Sequence, residues 1–128
     1  MKVATWNVCL GAFNKLNYIA EFLKNEEIDA LFVQEAEKPK EMDEKLLAVK
    51  DYNLSVDSTK EKARLICYWK SNLKVKAVID TRVEAIALEM EKATIIGIYW
   101  PFKLIHHQSH LEYLQEMVSF LRRFENCP

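Results

Sequence analysis

The chain has 128 residues, of which 50% are apolar and 29% charged, and its net charge is −1. That is long enough for one domain with a buried core and too apolar for a disordered chain. It is also too neutral for a broad cationic surface, so any nucleic-acid binding has to come from a local patch.

Lys2-Val3-Ala4-Thr5-Trp6-Asn7-Val8 reads as a strand. Leu16, Ile19, Ala20 and Leu23 then recur at helical spacing, with Asn14 as the expected cap and Asn25 near the end. Ile28-Asp29-Ala30-Leu31-Phe32-Val33-Gln34-Glu35 is a second apolar strand. A right-handed crossover lays these strands parallel, with Asn7 and Glu35 near their carboxyl ends, where ligands of α/β sheets gather. A glutamate beside an amide at that edge suits a hard divalent cation.

Ala36 to Lys40 is a polar loop broken by Pro39. Glu41 to Val49 predicts a short helix with Met42, Leu46 and Val49 inward, and Tyr52 to Val56 a brief strand. After a charged turn at Lys60-Glu61-Lys62 come the apolar run Leu65 to Trp69 and the alternating run Lys74 to Ile79, with Ser71-Asn72 as the hairpin turn between them. Glu84 to Met90 places Ala85 and Ala87 on one face and Ile86 and Leu88 on the other. Glu91-Lys92 then turns the chain into Thr94 to Tyr99, so these strands form an antiparallel meander within a mixed sheet. From His110 to Phe124 a last helix carries one stripe of Leu111, Leu114, Val118 and Leu121, and another of Tyr113, Met117, Phe120 and Phe124. The expected fold class is α/β, a mixed β-sheet with flanking helices, in a single domain over residues 1–128.

Several residues carry an ordinary reading beside a functional one. Asn7 also suits a side-chain bond to the following turn, and Tyr99-Trp100-Pro101 also suits aromatic packing at a strand end. His106, His107 and His110 lack the companions of a zinc site and read as an exposed cluster, although one of them can approach a phosphate beside Tyr99. Lys38 and Lys40 follow Glu35 and suit either a nucleic-acid backbone or solvent. Lys70, Lys74 and Lys76 read as solvated edge charges. Trp69 and Trp100 suit base stacking or half-buried packing. Cys9 and Cys67 read as small core residues. With Cys127 they show no metal-type spacing, which predicts reduced thiols in an intracellular compartment. Met1-Lys2-Val3 lacks the apolar core of a signal peptide, and no stretch is long enough to span a bilayer.

Thr5-Trp6-Asn7-Val8, Gln34-Glu35 and Tyr99-Trp100-Pro101 together resemble the first signature blocks of the endonuclease/exonuclease/phosphatase superfamily. The middle of the chain, residues 63–103, looks most similar to the endonuclease domains of non-LTR retrotransposons. The resemblance implies a four-layered α/β sandwich of which this chain is the amino-terminal half, with one of the two sheets complete. It implies Mg²⁺ or Mn²⁺ held chiefly by Glu35 with Asn7 beside it, Asn7 orienting the scissile phosphate or a metal-bound water, and the Tyr99 hydroxyl on a phosphate oxygen. The later Gly-Asp-x-Asn and Ser-Asp-His blocks of the family are absent from the sequence.

The function so implied is metal-dependent phosphodiester hydrolysis, as a DNA endonuclease of retroelement type, with the 128 residues alone expected to be inactive. Two alternatives stand beside it: a catalytically inactive relative that forms a homodimer through its uncovered face, and an enzyme for small phosphodiesters, since a fold does not fix its substrate.

Overall fold

The computed structural model describes residues 1–101 and 109–125. It begins with strand β1 (Val3–Asn7), a 3-10 turn (Phe13–Lys15), helix α1 (Leu16–Asn25) and strand β2 (Ala30–Pro39). β1 and β2 are parallel, with Val3 opposite Ala30 and Asn7 opposite Gln34. On α1, Ile19 and Leu23 are buried and Leu16 and Ala20 half-buried, as the helical spacing predicts. Asn14 is not the cap of α1. It lies within the 3-10 turn, and Lys15 takes the cap position without a side-chain hydrogen bond. The Lys15 ammonium instead donates to the Val8 carbonyl at 2.6 Å, tying the helix entry to the end of β1.

The helix expected over residues 41–49 is only a 3-10 turn (Glu44–Leu47), with Asp43 accepting from the Lys45 N–H. Because a 3-10 turn repeats every three residues, Leu47 points inward, while Leu46 is 51% exposed. β3 (Tyr52–Ser55) and β4 (Lys62–Lys70) complete a sheet of order β1-β2-β4-β3.

β5 (Lys76–Ile79), β6 (Glu84–Glu89) and β7 (Thr94–Tyr99) form the expected antiparallel meander, but as a second sheet of their own. The hairpin expected at Ser71-Asn72 does not form. The Leu73 N–H closes a turn on the Lys70 carbonyl at 3.0 Å, and the chain steps across to the other sheet. Packing between layers is the reason: Leu65 and Cys67 of β4 bury against Ile86 and Leu88 of β6. Stacking two apolar faces removes more area from water than extending one sheet at its edge.

Helix α2 (His110–Arg122) starts at Ser109, whose side chain accepts from the Glu112 N–H. Its Tyr113, Met117 and Phe120 pack on Ala85 and Ala87, whose small side chains let the helix approach the sheet. The Leu111, Leu114 and Leu121 stripe faces water at 63%, 44% and 37% exposure. The layers are therefore α1, first sheet, second sheet, α2. All four layers are built from the described residues, with strands in both sheets.

β1 and β7 are each an edge strand of their sheet. Together they flank an apolar groove of about 350 Å³ lined by Val3, Phe32, Ile95 and Ile98, among others. Phe32 fills the interlayer space over Gly97 so closely that a Cβ there would lie 2.0 Å from its Cδ1. Among the described residues no helix is long and apolar enough to cross a membrane.

Candidate active site

The carboxyl ends of β1 and β2 reach the same rim of the sandwich, where both strands leave regular geometry. The Val8 N–H still donates to the Gln34 carbonyl at 3.1 Å. Beyond it, the Gly11 and Ala12 N–H groups donate to the Glu35 and Ala36 carbonyls at 3.1 and 2.8 Å, so the loop after β1 clasps the backbone of Glu35. The β2–β4 register shifts between Gln34 and Lys38. Cys9, Leu10, Glu35 and Glu37 all sit in the left-handed region, with φ of 50°, 67°, 55° and 52°. Each such residue costs about 1–2 kcal/mol, and strain of this kind gathers at functional sites.

Asn7 is exposed, and its Oδ1 accepts the Cys9 N–H at 3.0 Å. This is the turn-forming use of asparagine, and it leaves the amide N–H groups and a second oxygen lone pair for a ligand. Glu35 is half-buried, and among the described residues its carboxylate takes no hydrogen bond or ion pair.

Tyr99 reaches the rim from the second sheet, paired with Glu84 across β6–β7. Gln34, next to Glu35, donates its side-chain N–H to the carbonyl of Ile98, next to Tyr99, at 3.1 Å, which stitches the sheets together here. Burial and then the nearby Glu35 charge push the Tyr99 hydroxyl above its usual range. Asn7, Glu35 and Tyr99 thus converge on one rim.

Beneath Tyr99 lies a charged network that sequence reasoning missed. The buried Glu84 carboxylate accepts the consecutive Arg64 and Leu65 N–H groups, each at 3.2 Å, and lies 3.8 Å from the Lys60 ammonium. Burial raises its pKa against the pull of Lys60. Lys60 also pairs with Asp57 at 3.2 Å. Tyr113 accepts the Glu84 N–H at 2.9 Å and donates to the Tyr99 carbonyl at 2.7 Å. Burial pushes the Tyr113 hydroxyl up to about 12, so it stays protonated and holds both bonds. Arg64 and Lys62 approach Glu37 at 3.9 and 3.4 Å. A glutamate opening a strand with an apolar interior was the one signal available for Glu84.

Other expectations meet different outcomes. Lys38 is buried at 2% exposure and donates to the Pro39 carbonyl, so it does not face a ligand. Cys9 is exposed rather than in the core, while Cys67 is buried as expected. His110 accepts from the Trp100 indole N–H, and His106 and His107 lie outside the described residues.

Among the described residues, no group of three or more His, Cys, Asp or Glu could hold a metal. One carboxylate and one amide do not make a closed zinc site. They do fit a hard cation that takes its remaining ligands from water and substrate phosphates.

The four-layered α/β fold recurs in solved structures. No family model and no curated protein matches the sequence. Among solved structures, an AP endonuclease from Archaeoglobus fulgidus is similar at a TM-score of 0.68 and 18% identity, over 100% of this chain and 52% of that one. The 3′ phosphatase NExo from Neisseria, bound to a product DNA hairpin, is similar at a TM-score of 0.73 and 17% identity, over 99% of this chain and 53% of that one. The chain spans about half the length of these structures.

Proposed function

We propose that this chain forms part of the catalytic rim of a Mg²⁺- or Mn²⁺-dependent phosphodiesterase acting on DNA, and that the enzyme is an endonuclease of retroelement type. The observation that carries the reading is the convergence of Asn7 and Glu35 from one sheet with Tyr99 from the other, in a fold shared with an AP endonuclease and with a 3′ phosphatase bound to DNA. Glu35 holds the metal, with the free lone pair of Asn7 beside it. When bound, the metal supplies positive charge that polarises the phosphoryl oxygen. The Asn7 amide orients the phosphate. Tyr99, kept protonated by burial and by the Glu35 charge, donates to a phosphate oxygen. Because the similar structures are about twice as long, the complete reaction is assigned to this rim together with residues from a further segment.

The test is nicking of supercoiled DNA with Mg²⁺ by the protein translated from the full reading frame that holds these residues. A metal site supplies several kcal/mol, so Glu35→Ala is expected to slow nicking at least about 100-fold. Nicking at the unmodified rate in Glu35→Ala would remove the reading.

A second reading, a non-enzymatic module that pairs with its own copy, is favoured by one observation. The edge strands β1 and β7 open onto the same apolar groove, and Val3 and Ile98 are 40% and 42% exposed there. Light scattering on the 128-residue chain is then expected to report twice the monomer mass, reverting in Ile98→Lys. A monomer at every concentration would end it.

A further inference from the structure

Immediately after Tyr99, the chain turns an aromatic surface toward solvent. The Trp100 indole N–H donates to His110 Nδ1 at 2.8 Å, with 11° between the ring planes and 6.0 Å between centroids. An N–H donates in the plane of its indole, and the Nδ1 lone pair lies in the plane of its imidazole. A short bond between nearly parallel rings therefore sets them edge to edge, and the 6.0 Å is a lateral offset rather than a face-to-face stack. Indole and imidazole make one flat plate.

The plate is braced and placed. The Tyr113 ring meets Trp100 edge-on at 4.9 Å and 66°, and its hydroxyl is bonded to the Tyr99 carbonyl at 2.7 Å. Trp100 is nonetheless 39% exposed, and His110 is exposed. Its indole N–H, the one polar group of the ring, is satisfied by His110, so the plate offers a π face rather than a hydrogen-bond donor.

We propose that the Trp100–His110 plate is a stacking platform for an unpaired nucleobase next to the phosphate held at the rim. The identity of the ligand rests on the phosphodiesterase reading; the platform itself rests on the ring geometry. A base within a duplex has both faces covered by its neighbours, so the platform selects single-stranded, terminal or extrahelical positions. It tolerates all bases, because every base has a π face. Phosphate and base are then gripped by different parts of the chain: the phosphate by Asn7, Glu35 and Tyr99, the base by Trp100 and His110.

The experiment compares binding of fluorescently labelled oligothymidylate with that of a base-free deoxyribose-phosphate oligomer of equal length, by anisotropy without metal. The unmodified chain is expected to prefer oligothymidylate about tenfold, which is about 1.4 kcal/mol. Trp100→Ala is expected to abolish the preference. His110→Ala, a change at an exposed residue, is expected to lower it about threefold, as part of a stacked base is worth. Equal binding of the two oligomers by the unmodified chain, no binding of either, or an undiminished preference in both variants overturns the platform. A Trp100-dependent preference in a protein that never cleaves DNA would sink the phosphodiesterase reading and leave the platform standing.

Discussion

Replacing Gly97 with alanine tests whether the two sheets are packed as tightly as they look. The added Cβ would lie 2.0, 2.4 and 2.5 Å from Cδ1, Cε1 and Cγ of Phe32. Carbon atoms rest at about 3.5–4.0 Å, so the overlap is about 1.5 Å and falls on the body of a ring. Phe32 is 4% exposed and shares its interlayer cluster with Leu65, Ile86 and Leu88, so the ring has little room to move aside. Overpacking of this kind costs about 1–3 kcal/mol, and an overlap this deep belongs at the upper end, about 3 kcal/mol. Phe32→Leu alone should cost about 1–2 kcal/mol, as an ordinary core truncation does. The double variant should recover most of the alanine penalty, because the new methyl enters space the ring vacated. Urea titrations followed by circular dichroism give all the free energies of the cycle, read as midpoint shifts at constant slope. A Gly97→Ala midpoint equal to that of the unmodified protein, or strict additivity in the double variant, would refute the packing argument.

The remaining predictions concern charge, a buried hydroxyl and backbone strain. Burial by itself raises the pKa of Asp80, yet the carboxyl is held below its usual value because it accepts the Arg82 and Val83 N–H groups at 2.7 and 3.1 Å and the Arg82 guanidinium at 3.1 Å. A folded-state pKa below the unfolded one gives stability that is present above about pH 3.9 and lost as pH falls through the folded value. Asp80→Asn should therefore lower the unfolding free energy at neutral pH by about 1–3 kcal/mol and flatten the loss below about pH 4, checked by urea titrations across that range. Tyr113→Phe leaves the Glu84 N–H and the Tyr99 carbonyl without their partner, so thermal unfolding should show a cost of about 1–3 kcal/mol; no change would mean the bonds are idle. Glu35→Ala and Glu35→Gly both delete the carboxylate, but only glycine relieves the positive φ. After its extra unfolded-state entropy is subtracted, the glycine variant should be the more stable by about 0.5–1 kcal/mol.

What could be read from the chain follows the range of the forces involved. The alternation in Glu84 to Met90 correctly separates Ala85 and Ala87, under α2, from Ile86 and Leu88, between the sheets. The step at Ser71-Asn72 was misread because a tight turn looks the same whether its strands pair or part. Packing of β4 on β6, a non-local contact, decides between them. On the last helix both stripes were visible, but their assignment was not. The stripe of Tyr113, Met117, Phe120 and Phe124 goes inward because its aromatic rings bury more area against a floor of alanines. At the rim, Asn7, Glu35 and Tyr99 are legible as polar groups at the ends of apolar runs. Glu84 is not, since an acid at a strand start ordinarily faces water. Here two backbone N–H groups and Lys60 make its burial tolerable.

The rim draws on a different physical device from each sheet. In the first, Glu35 and Glu37 are forced into left-handed backbone within β2, a cost of about 2–4 kcal/mol for the pair. The strand bears it because Leu31 and Val33 are fully buried on one face and Phe32 is 4% exposed on the other, so β2 cannot slip to a relaxed register without exposing a core residue. In the second, Tyr99 is held through its backbone by Tyr113, which is itself anchored on Glu84. Both devices fix backbone and leave the Glu35 carboxylate without a hydrogen-bond or ion-pair partner among the described residues. The proposed metal role gives that carboxylate a partner that the described residues do not supply.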